Sequence, residues 1–130
     1  VVNGDFESGA LSPWSCAGTL GSIVSTPVHG GKNALGGTPT DSDNAQCSQT
    51  VAVEPGRTYT LAAWVNGNYV YLGASGTGTS DASTWAPSTG GNYQQLSTQF
   101  TTGASTKSVT IWLHGWYGQG NYSADDVTLK

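Results

Sequence analysis

The chain has 130 residues and a formal net charge of −4, with four Lys and Arg against eight Asp and Glu. The basic residues Lys32, Arg57, Lys107 and Lys130 are scattered, which excludes nucleic acid as a partner, because phosphate neutralisation needs clustered cations. No apolar run is long enough for a bilayer, so the sequence carries no membrane-spanning helix.

Charged residues make up 9% of the chain, yet 36% is apolar, with five Trp, six Tyr and 19 Gly. That content supports one core and one domain, residues 1–130, expected to be a monomer. Methionine is absent, so the chain reads as a mature or excised piece. Few charges with many hydroxyls, glycines and rings suit short strands, tight turns and a secreted protein that meets a neutral ligand.

The first elements are acidic and thiol-bearing. Asp5 and Glu7 lie near the N-terminus, and Asp125 and Asp126 near the C-terminus. If the chain ends pair, these carboxylates repel unless a hard cation bridges them; solvated edge carboxylates are the alternative. Cys16 and Cys47 are the only cysteines and read as a disulfide rather than two buried thiols, worth roughly 3–4 kcal/mol in the chain-entropy model.

Further along, 49–53 reads as a strand, and Glu54-Pro55-Gly56-Arg57 as a type II turn. Residues 58–65 alternate, with Tyr59, Leu61, Ala63 and Val65 on one face. Asn66-Gly67-Asn68 predicts a hairpin into 69–73, with Val70 and Leu72 opposite Tyr69 and Tyr71. A long Gly/Ser/Thr loop, 74–91, carries Trp85. Strands follow at 93–101, with Leu96, Thr98 and Phe100 inward, and at 108–114, with Val109, Ile111 and Leu113 against Thr110, Trp112 and His114. Residues 115–120 form a loop with Trp116 and Tyr117, and 122–129 is the last strand. Strands at this spacing predict an all-β, two-sheet antiparallel sandwich.

Strand phase sets Tyr69, Tyr71, Trp112 and His114, and likewise Trp64, opposite their apolar neighbours, an array that suits the C–H faces of a sugar ring. Gln95, Gln99 and Asn68 are candidate hydrogen-bond partners for hydroxyls. Trp14 and Trp64 read as core residues, Trp112 and Trp116 as ligand-facing, and Trp85 as a loop candidate. No catalytic motif is present. The remaining acids, Asp41, Asp43, Glu54 and Asp81, lie in turns and loops, and a glycosidase needs two carboxylates across a cleft.

Asn3-Gly4-Asp5-Phe6-Glu7-Ser8-Gly9 followed by Pro13-Trp14, the run Pro55-Gly56-Arg57-Thr58-Tyr59-Thr60-Leu61-Ala62-Ala63-Trp64-Val65, and the ending Tyr122-Ser123-Ala124-Asp125-Asp126-Val127-Thr128-Leu129 carry a resemblance. They resemble carbohydrate-binding modules of the superfamily that includes families 4, 9, 16 and 22. The segment 114–120, with the two cysteines, looks most like family 16-type modules of actinobacterial secreted enzymes, many of them chitinases. The resemblance implies a jelly roll of the galactose-binding-like type with no catalytic activity of its own, tethered to a glycoside hydrolase. It implies a structural Ca2+ held by Asp5, Glu7, Asp125 and a carbonyl near Lys32. It implies stacking by Trp14 and by Trp112 or Trp116. Chitin is the expected ligand, with β-glucan or mannan as the alternative polysaccharide and an adhesive surface domain as the alternative class.

Overall fold

Alternation of apolar and hydroxyl-bearing residues, broken at short intervals by glycine, leaves strands as the only elements that bury one face. A computed structural model describes all residues 1–130 and contains ten strands and no helix. They are β1 (Ser15–Cys16), β2 (Gly21–Val24), β3 (Ala34–Gly37), β4 (Cys47–Ala52), β5 (Thr58–Asn66), β6 (Asn68–Ser75), β7 (Ala82–Ser88), β8 (Gln94–Thr101), β9 (Ser108–His114) and β10 (Tyr122–Leu129). The first sheet runs β1-β4-β9-β6-β7 and the second β2-β3-β10-β5-β8, with every pairing antiparallel. The expected two-sheet sandwich is the architecture found.

Between the sheets lies one cluster of 21 buried residues. Leu61, Ala63, Val65, Leu96 and Phe100 enter it from the second sheet, and Val70, Leu72, Val109, Ile111 and Leu113 from the first. These are the inward sets that strand phase predicts. Cys16 and Cys47 pair in register across β1 and β4 and form the expected disulfide. A Cβ on Gly21 of β2 would sit 2.3 Å from the Cys16 sulfur, so the bridge reaches the opposite sheet.

Two local expectations change, and one strand proves irregular. Asn66-Gly67-Asn68 is not a hairpin turn: β5 pairs with β10 and β8, and β6 with β9 and β7, so this segment crosses from one sheet to the other. Gly67 has φ +144°, and its N–H and C=O bond the Thr89 hydroxyl and N–H, cross-linking the crossing to the β7–β8 connection. An arch and a hairpin share the same glycine chemistry; only long-range pairing tells them apart.

The 74–91 segment is not one long loop, because β6 continues to Ser75 and Ala82–Ser88 forms the edge strand β7. Finally, β10 carries a bulge between Asp125 and Thr128, with Asp126 at φ +50°. The extra residue shifts the strand's phase, so that Ala124 and Val127 both face the core although they are three apart. The short strands β1, β2 and β3 have no alternating signal; Ala34–Gly37 is buried along its whole length.

Candidate functional site

The outer face of the first sheet is built by register. Trp112 on β9 lies between Ser48 on β4 and Gly73 on β6, and the next outward row is His114, Tyr71 and Trp85. Tyr69 stands two residues along β6 from Tyr71. The rings form a run: Trp112 on His114 at 5.0 Å and 14°, His114 on Tyr71 at 4.6 Å and 24°, Tyr71 on Trp85 at 5.3 Å and 7°, and Tyr69 on Trp85 at 5.6 Å and 12°. Near-parallel rings at such spacings overlap face to face, which is a favourable offset arrangement. From the 115–120 loop, Trp116 adds itself beside Tyr71 at 5.3 Å, and Tyr117 packs edge-on against Trp116 at 5.0 Å.

Overlap decides which faces stay free. Trp112 lies flat: a Cβ on Gly73 would sit 2.2 Å from its indole, and its Nε1–H donates to Ser75 Oγ at 2.9 Å. Gly73 is therefore the residue that lets the ring lie down on the sheet. The exposed members are Trp85 (46% exposed), Trp116 (39%) and Tyr117 (42%). Trp112, Tyr71 and Tyr69 are half-buried beneath them. Trp85, expected on a flexible loop, is held by strand pairing opposite Tyr71.

No Lys, Arg, Asp or Glu lies on the strands of this sheet, β1, β4, β6, β7 and β9. Its hydroxyl-bearing neighbours are Ser48, Thr50, Ser75, Ser83 and Thr110. His114, 9% exposed, donates from Nδ1 to its neighbour's carbonyl, Gly115 O, at 2.6 Å. Burial lowers its pKa below the usual histidine range, against the opposing pull of that carbonyl.

Two sequence candidates stand elsewhere. Trp14 is 4% exposed, packs on Phe6 at 5.5 Å and donates its Nε1–H to Asn3 O at 3.0 Å; it is a core residue and offers no face to a ligand. Gln95 is on β8, opposite Trp64, in the other sheet, as is Gln99. Asn68 begins β6 and is exposed on the ring-bearing sheet. Trp64, expected in the core, is not a core residue. It is half-buried on the outside of the second sheet, where His29 covers it at 4.1 Å and 12° and Tyr93 approaches His29 edge-on at 5.7 Å. Strand phase turns Trp64 outward, but its cover left no sequence signal, because His29 comes from a loop. A concavity of about 230 Å³ is also on this sheet, lined by Ser22, Gly36, Asn66, Asn121 and Ser123 among others, and no Trp lines it. The aromatic face is flat and forms no cavity.

The acidic residues converge on the 29–33 turn. Glu7 accepts the N–H groups of Lys32 and Asn33 at 2.9 Å each, and a Cβ on Gly31 would sit 2.5 Å from its carboxyl carbon. Asp125, fully buried, accepts from His29 N–H and Gly30 N–H through Oδ2 and from Asp126 N–H through Oδ1. Burial raises its pKa, the N–H donors pull it back, and Asp126 adds a smaller upward push. Asp5 is exposed and caps Glu7 N–H at 3.1 Å. The ion pairs of the chain, His29–Asp126 and Arg57–Glu54, leave Asp125 and Glu7 without a cationic side chain. Both carboxylates are instead met by backbone N–H donors of one turn, His29 and Gly30 for Asp125 and Lys32 and Asn33 for Glu7. No three His, Cys, Asp or Glu side chains gather here or elsewhere in the chain to hold a metal ion by side chains alone.

Comparison with known proteins agrees with this architecture. The chain is 55% identical over 127 residues to exochitinase 1 of Streptomyces olivaceoviridis, and 28% identical over 132 residues to the keratan-sulfate endo-1,4-beta-galactosidase of Sphingobacterium multivorum. Each match covers 98% of this chain but only 21% and 30% of those proteins, so the chain spans less than a third of either. Among solved structures, a family 61 module in complex with β-1,4-galactotriose has a TM-score of 0.80 at 23% identity, covering 100% of this chain and 96% of that one. A family 16 module has 0.77 at 21%, covering 100% and 98%. At those identities the two structures speak for the fold alone. A family model described as carbohydrate binding domain matches residues 1–124, and the chain belongs to this CBM_4_9 family of carbohydrate-binding modules.

Proposed function

We propose that the domain is a non-catalytic module that lays a neutral β-1,4-linked polysaccharide, chitin first among them, across the outer face of the first sheet. The observation that carries the reading is the run of seven rings from Tyr69 to Tyr117, uncharged and fringed by hydroxyls, with two indoles left open to solvent. Apolar sugar faces pack on rings, and hydroxyls bond Ser, Thr and Asn side chains at the margins. Chitin is favoured because 55% identity links the chain to a piece of an exochitinase. The same fact supports covalent attachment to a glycoside hydrolase, which raises enzyme concentration at the substrate. The Cys16–Cys47 bridge supports a secreted, extracellular setting. A net charge of −4 speaks against polyanionic glycans.

The test is co-sedimentation of the isolated domain with insoluble chitin, cellulose, mannan and β-1,4-galactan. Retention on chitin above the others supports the reading; retention on none sinks it.

The acidic turn extends the proposal. Glu7 and Asp125, with Asp5 alongside and the backbone near Lys32, would hold a structural Ca2+, supplying charge compensation for a carboxylate that is fully buried. Its place on the second sheet separates it from the rings. Excess chelator should lower the melting temperature by several degrees, the scale of about 1–2 kcal/mol for a domain of this size, and added Ca2+ should restore it; a melt unmoved by either excludes the site.

A further inference from the structure

The ring array contains one group that is not a hydrocarbon surface. His114 sits in its middle, stacked on Tyr71 and Trp112 with Trp116 tilted above at 6.2 Å. Its Nδ1 lies 2.6 Å from Gly115 O. A carbonyl oxygen only accepts, so Nδ1 carries the proton and Nε2 of the neutral ring keeps its lone pair. No protein group bonds Nε2, and no buried side-chain nitrogen or oxygen in the molecule lacks a partner. Nε2 is therefore the edge of the ring that reaches solvent. Around it there are rings and a glycine, with no cation to repel a proton and no carboxylate to attract one. Its titratable neighbours are Tyr71 and, beyond Trp116, Tyr117. On the 38–46 segment beneath the loop, Asp43 accepts Ala45 N–H at 2.8 Å, and Asp41 lies toward Gly118.

We infer that His114 Nε2 is a hydrogen-bond acceptor for the bound saccharide, receiving a hydrogen bond from a hydroxyl or an acetamido N–H of the sugar that crosses Tyr71 between Trp85 and Trp116. The inference rests on the platform reading and sharpens it. Exposed rings tolerate any flat sugar face, whereas one fixed acceptor among them demands a donor at one position. Neutral imidazole is required, since protonation turns Nε2 into a donor. Burial lowers the pKa and so favours the neutral ring at pH 7, and binding weakens as pH falls through that lowered value.

The experiment is calorimetric titration of the parent, His114→Phe, His114→Gln and Trp116→Ala with triacetylchitotriose and with cellotriose, from pH 4.5 to 8. Phenylalanine keeps the stack and lacks the acceptor. It should bind roughly three- to tenfold more weakly at pH 7, the range of one hydrogen bond, and lose the acid-side decline. Glutamine keeps an acceptor and should recover part of the affinity without the decline. A loss confined to triacetylchitotriose identifies the acetamido N–H as donor; an equal loss on both sugars identifies a hydroxyl. If His114→Phe binds with the parent's affinity and pH profile while Trp116→Ala loses binding, the acceptor is refuted and the platform stands. If the parent binds neither sugar, both readings fall. Should the variants misfold, nitrogen NMR of the parent decides: the Nε2 resonance must move on saturation with the sugar that binds, and an unmoved resonance refutes the inference.

Discussion

The two outer faces of the sandwich present tryptophan on strands of the same outward phase, and they end in opposite states. On the second sheet, Trp64 lies under His29, whose Nδ1 is held by Asp126 at 2.6 Å, and Tyr93 ties the same loop down through its hydroxyl on Pro27 O at 2.8 Å. On the first sheet, the segment that reaches over the rings, 115–120, brings Trp116 and Tyr117 and so enlarges the aromatic surface. One ring is closed off by a loop anchored on carboxylates; the others cover one another and leave two indoles bare. Outward phase is thus a requirement for a stacking face but does not create one. What lies over the strand decides.

The comparison is broken most directly by removing the bare indoles. Trp85→Ala and Trp116→Ala should each cost about 1–3 kcal/mol of saccharide affinity, with the double variant close to non-binding and thermal stability little changed. Calorimetry with the oligosaccharide that the parent binds checks this; parent-like affinity in both would mean the sugar sits elsewhere. Next in size, Gly73→Ala places a Cβ against the Trp112 indole and near Ala82 O. It should destabilise the domain by about 1–3 kcal/mol through overpacking and weaken binding as the ring lifts, readable in denaturant melts and titrations of the same sample. The smallest effect on the function is expected on the covered side. Trp64→Ala should cost about 2 kcal/mol of stability, less than emptying a full core site, and leave affinity unchanged. Loss of binding there with an intact fold would erase the distinction between the faces.

Much of this was legible along the chain. The phases of 58–65, 69–73 and 108–114 are visible because each buries one face against a single core, so the pattern of period two survives in the sequence. The site was legible to the same depth: Tyr69, Tyr71, Trp112 and His114 fall outward by phase. Trp85 was hidden in a segment of Ser, Thr and Gly, since an edge strand such as β7 has little to bury; Ala86 is its one fully buried side chain. Trp14 lies in the core as its residue reading expects, and the stacking role implied by the resemblance fails because the ring is buried against Phe6.

By itself, then, the sequence determined that the chain is all strand, which side chains turn inward, that its outward rings are uncharged, and that its two cysteines have only each other. Each of these depends on residue type and local spacing. Tertiary structure alone decided that β5 and β6 part into different sheets, that β10 bulges at Asp126, that Trp112 lies flat on Gly73, and that Trp64 is roofed while Trp85 and Trp116 are not. The reason is common to all four: strand order, bulges and loop cover are set by partners distant along the chain, and neighbours in sequence carry no record of them.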